Sequence, residues 1–423
     1  MRIKKLIGFQ VLDSRGKPTV AACITLADGS THIAKVPSGA STGKHEALEL
    51  RDFDSTYFEK YFLGNSVYRA VEKINTIIAP AFINQKVDFI SVDALLNEID
   101  PSENHHSLGA NTKLAVSLSS AKAQAHSQGS SLARMLCPTG KLLIPMPMVN
   151  ILSGGAHANR SMDIQDVLVV PVSATSFAEA FKWVAAIRES AARRGRESGF
   201  ITHLVADEGG LGIPFQSISE ACKFVEACIS DVGLIPGKDV SLALDFAATQ
   251  YFIEGKYHLA NEERILSPDD YQTFISELVQ SHPIVSVEDP FSEDDWFSWE
   301  KFTKFTDSNL QILGDDLFTT NYSRLERGVN SESANSILIK VNQNGLVSST
   351  YSVLKNAQAK GFATVVSARS GETEDSWLAD LAVGWQAGQI KVGSTHGSER
   401  NAKWNRLLEL EITEDSVFSK PFA

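Results

Sequence analysis

The sequence predicts an α/β protein in two parts: an α+β N-terminal domain over residues 1–135 and a (β/α) barrel over residues 136–423. Three observations carry this. A chain of 423 residues exceeds what one ordinary hydrophobic core organises, so it needs two domains or one large barrel with an addition. The first third mixes a β-hairpin signal with a long Ala- and Leu-rich stretch. Beyond it, short β-branched runs alternate with helical segments many times. That is the rhythm of a parallel sheet with helical crossovers, and the length favours a closed barrel over an open sheet.

The elements follow in order. "TVAACITLADGSTHIAKV" is two β runs around an Asp28-Gly29 turn. From Asn111 to about Met135, "NTKLAVSLSSAKAQAHSQGSSLARM" has helical spacing. "CPTGKLLIPMP", with its three prolines, marks the boundary into the second unit. Then come "SLALDFAAT", "PIVSVEDPF", "LQILGDDLF", "SILIKVNQNG", "ATVVSARSGE" and "QIKVGST", apolar runs that end in polar or charged residues. The intervening "SPDDYQTFISELVQ" reads as a helix with Ser267 as N-cap, Pro268 at the first helical position and Asp270 in the capping-box position. Its apolar residues Tyr271, Phe274, Ile275 and Leu278 fall on one face.

Composition narrows the partners. Hydrophobic residues make up 43%, as in an ordinary globular protein, and the net charge is −12. An acidic surface field disfavours nucleic acid and anionic membranes. An anionic small molecule stays open as substrate, provided the site supplies local positive charge. Cys23, Cys137, Cys222 and Cys228 form no C-x-x-C pair and read as small hydrophobes in a reducing compartment. The longest apolar stretch, "LLIPMPMV", is far short of a membrane span. The apolar run in "MRIKKLIGFQVLDSRG" is too short for a secretory leader, so a cytoplasmic location is expected.

The polar ends of the runs are the informative part. Asp245, Glu288, Asp315, Lys340, Arg369 and Lys391 follow one another at steps of 43, 27, 25, 29 and 22 residues, each about one β/α unit. Neighbouring strands would therefore bring all six to one mouth, the face where barrel active sites lie. Three carboxylates meeting there repel one another unless a cation joins them, and oxygen-only ligands favour Mg²⁺ or Mn²⁺ over zinc. One aspartate at a strand end is commonplace; the trio in register is what points to a metal. Lys340, Arg369 and Lys391 can bind a doubly charged acid, and a lysine beside metals and other cations can fall in pKa and act as a base. "ADEGG" places Glu208 as a candidate general acid, and "PSGASTG" (Pro37 to Gly43) is a Gly/Ser loop whose hydroxyls can reach a metal or a phosphate.

The chain resembles the enolase family nearly end to end. The resemblance rests on "DSRGKPTV", "VPSGASTGKHEALELRD", "LGANTKLAVSL", "IPMPMVNILSGGAHA", "DIQD", "ADEGG", "LALDFAAT", "PIVSVEDPF", "GDDLF", "ANSILIKVNQNG", "RSGETED" and "GQIKVGS". It implies an enolase-type (β/α)8 barrel behind an α+β capping domain. It also implies the Mg²⁺-dependent, reversible dehydration of 2-phospho-D-glycerate to phosphoenolpyruvate, with two Mg²⁺ per active site. By the same resemblance, Asp245, Glu288 and Asp315 hold the first Mg²⁺, Lys340 takes the α-proton and Glu208 helps the β-hydroxide leave. Lys391 and the metals hold the carboxylate, and Arg369 and Ser370 hold the phosphate. Ser41, on a closing loop, reaches the second metal together with the phosphate, and His157 lies on another closing loop.

The departures from the family are as informative. Enolases carry a histidine where this chain has Ala368, so an imidazole at the substrate's rim is missing. Asp166 in "DIQD" stands where the family has Glu; its carboxylate should sit about 1.5 Å further back, enough to break a direct hydrogen bond. Both changes enlarge the site. Arg160 puts a positive charge in the loop after His157, and Gly397 replaces an arginine. Ala21 and Glu409 stand where the family pairs a Glu with an Arg across subunits, and Ile412 replaces the Glu that would meet Arg15. A homodimer is therefore expected to be weaker than in typical enolases, or differently arranged. Two readings stay open: a weakened enolase with its acid, base and ligands intact, or a paralogue retasked for a larger or differently charged acid, as in the carboxyphosphonoenolpyruvate synthases. A non-catalytic binding protein is a minor third.

Overall fold

The computed structural model describes residues 1–40, 42–53 and 62–422. The N-terminal part holds an antiparallel sheet of β1 (Ile3–Leu12), β2 (Pro18–Leu26) and β3 (Thr31–Lys35), in that order. The β2–β3 connection is the hairpin expected around Asp28-Gly29. Asp28 Oδ1 accepts from Ser30 N and Ser30 Oγ at 3.0 and 2.7 Å and pins the turn. β1 carries no clean sequence signal, because Lys4 and Lys5 interrupt its alternation, yet it pairs with β2 along its length. Helices α1 (Phe89–Ile99) and α2 (Ala110–Ser127) pack on one another, and α2 covers the sheet. The helix expected to run to Met135 stops earlier. Gly129 turns the chain at φ +66°, and a new short helix, Leu132–Leu136, starts where Ser131 Oγ accepts from Arg134 N at 3.1 Å.

The rest closes into an eight-stranded barrel: β4 (Met146–Ser153), β5 (Asp166–Val170), β6 (Ser241–Asp245), β7 (Ile284–Glu288), β8 (Gln311–Gly314), β9 (Ser336–Ile339), β10 (Ala363–Ser367) and β11 (Gln389–Gly393). The strands follow chain order around the ring. One of them departs from the parallel rule: β5 runs antiparallel to both β4 and β6. The link from Ser153 to Asp166 holds only a short turn, and a parallel connection would need a helix-length crossover. Helices α3 (Phe177–Glu197) and α4 (Ile218–Asp231) then return the chain to β6. Inside, Met146, Met148, Leu168, Val170, Ala243, Leu313, Leu338 and Val365 fill the barrel. α5 (Pro268–Ser281) starts as expected, with Ser267 Oγ accepting from Asp270 N at 3.2 Å, and buries Tyr271, Phe274, Ile275 and Leu278. Each such side chain contributes roughly 1.5–3 kcal/mol of transfer free energy.

The N-terminal part caps the ends of the barrel strands. Ser38 and Gly371 exchange backbone hydrogen bonds at 2.8 and 2.9 Å, Ala47 N reaches Gln343 O at 2.9 Å, and Trp377 Nε1 reaches Lys35 O at 3.1 Å. Arg15 is engaged within the chain, on Asp13 at 2.9 Å and on Ser38 O at 3.0 Å. Ala21 is buried, Glu409 pairs with Arg406 at 3.1 Å, and Ile412 is 83% exposed. No disulfide joins the four cysteines. Among the described residues, no helix is long and apolar enough to cross a membrane.

Candidate active site

Strands β6 to β11 deliver the six expected groups to one mouth. Asp245 and Glu288 are the last residues of β6 and β7 and lie in register. Asp315 and Lys340 directly follow β8 and β9, Arg369 follows β10, and Lys391 lies within β11. All but Lys340 are buried, and Lys340 is nearly so. Pairing offsets the cost of burying such charges. Lys391 Nζ reaches across the mouth to Asp245 Oδ2 at 2.6 Å and Glu288 Oε2 at 2.7 Å, and Lys340 Nζ donates to Asp315 Oδ2.

Burial alone would push Lys391 down, but Asp245 and Glu288 raise it well above the ordinary lysine value. Burial likewise disfavours the charged Lys340, and Asp315 outweighs it and raises the amine. The adjacent carboxylate outweighs the neighbouring Arg369 guanidinium; the lowered lysine is the expectation beside a metal ion. Glu288 goes well above the ordinary carboxylate range, first through burial and then through repulsion by Asp245.

Several residues that sequence reading missed complete the mouth. Glu46, from the capping domain, clasps Arg369 through two hydrogen bonds of 2.9 and 3.2 Å, and Asn342 Oδ1 accepts from the same guanidinium at 2.9 Å. Gln343 Nε2 donates to Asp315 Oδ1 at 2.9 Å, and Asp289 accepts from the backbone N–H groups of Asp315 and Asp316 at 2.9 and 2.8 Å. The acid pair in "EDP" and the repeated Asp in "GDD" were the available signals for Asp289 and Asp316; nothing local marked Glu46. Ser370 Oγ accepts from Ala40 N at 2.7 Å, beside Arg369. Ser41 lies outside the described residues.

A second group gathers on the β4–β5 side. The ligand atoms of His157, Asp166 and Glu208 lie within 4.8 Å of one another, all buried. Asp166 Oδ1 accepts from Asn150 and, at 3.0 Å, from Ser153 Oγ. Its Oδ2 stops 3.5 Å from His157 Nδ1, and neither atom has a hydrogen-bond partner. His157 Nε2 is 3.9 Å from Glu208 Oε1. Burial works against charge on the imidazole, yet Glu208 and Asp166 raise it to about 9. Burial works against the Glu208 carboxylate too, but His157, Arg400, Lys391 and Lys340 hold it below the usual range. Arg160 is exposed, and Gly397 sits at φ +93°, a conformation that favours glycine.

The donor set fits a hard divalent cation. Three buried carboxylates with no thiol or imidazole among them suit Mg²⁺, and Glu288 Oε1 is buried without a hydrogen-bond partner. Asp289, Asp315 and Asp316 bring ligand atoms within 4.8 Å of one another. Asp245, Glu288 and Asp315 form no such tight group; Lys391 bridges the first two and Lys340 pairs with the third. Asp245→Asn is expected to lower Mg²⁺ affinity at least about 100-fold, read by isothermal titration. Unchanged affinity would remove Asp245 from the ligand set.

A capped barrel with carboxylates facing lysines at its mouth is built for acid–base chemistry on a metal-held anion, the class of the metal-dependent lyases. Family models for the enolase N-terminal domain and the enolase C-terminal TIM barrel domain match residues 3–136 and 141–420. The chain belongs to the enolase family, whose members are lyases that depend on a divalent metal.

Proposed function

We propose that the chain catalyses the reversible dehydration of 2-phospho-D-glycerate to phosphoenolpyruvate, more slowly than enolases that keep the residues missing here. The observation that carries this is an intact base and an intact acid around one buried mouth, with Lys340 on the side of Asp315 and Glu208 beside His157. Mg²⁺ held by Asp245, Glu288 and Asp315 would stabilise the second negative charge that builds on the substrate carboxylate. Lys340 Nζ removes the proton next to that carboxylate, and Lys391 Nζ faces the developing charge. His157 carries a proton near neutral pH, and Glu208, 3.9 Å away, is the group that would pass a proton to the departing hydroxide. Arg369 and Ser370 take the phosphate, for which Glu46 must yield the guanidinium.

A second reading, a paralogue retasked for a related phosphonate or phosphorylated acid, is favoured by Ala368 and by the exposed cation of Arg160 beside the His157 turn. The test is 2-phosphoglycerate turnover by the Mg²⁺-loaded protein, together with exchange of the substrate's α-hydrogen in deuterated solvent. Slow turnover with clear exchange is expected; the absence of both would refute the first reading.

A further inference from the structure

Glu208 is carried by the tight turn Ala206–Gly210. Gly209 N bonds to Ala206 O at 2.8 Å, Ala206 N bonds to Gly210 O at 2.9 Å, and Gly209 sits at φ +83°. Where the Glu208 carboxylate points depends on how firmly this turn is held. Three successive carbonyls each meet a donor from another element. Asp207 O accepts from Arg400 Nη2 at 3.1 Å, Glu208 O from Ser394 N at 2.8 Å, and Gly209 O from Arg188 Nη2 at 3.2 Å. A Cβ on Gly209 would lie 2.5 Å from His396 O, so the turn has no room to shift that way.

Two of these holders are explained by their other work. Ser394 N is a backbone group, and Arg400 also bonds to the carbonyls of Arg369, Ser370 and Val392. Arg188 is different. It is fully buried on α3, and its Nε and Nη1 have no hydrogen-bond partner. Among the described residues no carboxylate pairs with it. Burial pushes its guanidinium down to about 10. Its neighbours on the same helical face, Val184, Ile187 and Ala191, are apolar and buried, so a methionine or leucine would suit the packing. An interior charge without a counterion costs stability, and the one side-chain hydrogen bond Arg188 makes among the described residues goes to the residue after Glu208.

We propose that Arg188 is a positioning residue for Glu208: from the outer helix α3 it clamps the Ala206–Gly210 turn and so fixes where the acid points. This rests on the reading of Glu208 as the acid and extends it to a residue remote from the substrate.

The test uses the full-length, Mg²⁺-loaded protein with Arg188→Met and Arg188→Lys. Amide hydrogen exchange across residues 206–211 should speed up about tenfold or more in Arg188→Met and remain unchanged elsewhere. The thermal midpoint should not fall with it, since an unpaired interior charge has been removed. With 2-phosphoglycerate, dehydration should drop about 10- to 100-fold while α-hydrogen exchange drops less than about threefold, and the lysine variant should recover part of the loss. A merely structural role would lower both activities equally. Equal losses, or amide exchange unchanged across the turn, would overturn the proposal. Should Arg188→Met fail to fold, Arg188→Lys is read by the same criteria with smaller shifts. Should the unaltered protein neither exchange nor dehydrate 2-phosphoglycerate, the functional reading falls, and the amide-exchange arm alone decides the clamp.

Discussion

Lys340→Ala abolishes exchange of the substrate's α-hydrogen with deuterated solvent, whereas Glu208→Gln keeps it at least in part. Removing a positioned base typically costs 10²–10⁴-fold, and among the described residues no other amine stands free beside Asp315 to replace Lys340. Lys391 is committed to Asp245 and Glu288 at 2.6 and 2.7 Å, across the mouth. In Glu208→Gln the proton can still leave the carbon, but hydroxide departure stalls, so exchange continues while net dehydration stops. The lysine variant also leaves Asp315 without its ammonium. Mg²⁺ titration of the same protein therefore has to accompany the measurement, to show that the loss is one of base and not of metal. Undiminished exchange in Lys340→Ala would remove it as the base.

The second large effect concerns Ala368 and Asp166, the two positions read from the sequence as departures from the family. Turnover of 2-phosphoglycerate is expected to rise in the double variant Ala368→His, Asp166→Glu if the protein is a weakened enolase. The geometry says why. Asp166 is anchored by Asn150 and Ser153 and falls short of His157 at 3.5 Å. One more methylene advances the carboxylate by about 1.5 Å, enough to close that gap into a hydrogen bond. A polar contact to a group that changes charge in the reaction is worth on the order of tenfold to a few hundredfold in rate, so the pair should gain at least tenfold. If the protein serves a larger acid, the same pair refills the pocket: 2-phosphoglycerate turnover stays poor and a phosphonate-bearing substrate, run alongside, is processed less well. Turnover of 2-phosphoglycerate by the unaltered protein at the rate of ordinary enolases would sink the importance given to both positions.

Much of the architecture was legible because strand ends are. Apolar runs that lead into Asp245, Glu288, Asp315, Lys340, Arg369 and Lys391 state both the strand and its useful end, and steps of about one β/α unit place them side by side. The antiparallel β5 was not legible from its residues, since "DVLVV" reads alike in either direction. The cause lies in the link from Ser153, which forms a short turn and no crossover helix. The partners at the mouth were hidden for another reason. That Lys391 spans to Asp245 and Glu288, or that Glu46 lies on Arg369, depends on which strands face each other across a closed ring. Local sequence does not encode that. Arg188 did leave a trace: it falls four residues after Val184 and three before Ala191, on the apolar stripe of its helix.

The charges at the mouth also arrive in a particular chain order. Asp245, Glu288 and Asp315 are made first; Lys340, Arg369 and Lys391 come later. A chain emerging from synthesis thus carries an acidic half-ring with nothing to neutralise it. Completion of β11 brings Lys391 onto Asp245 and Glu288, so the last strand neutralises charge as it closes the sheet. Sealing the barrel and balancing its charge become one late event, and a chain stopped before β11 retains an open, self-repelling rim.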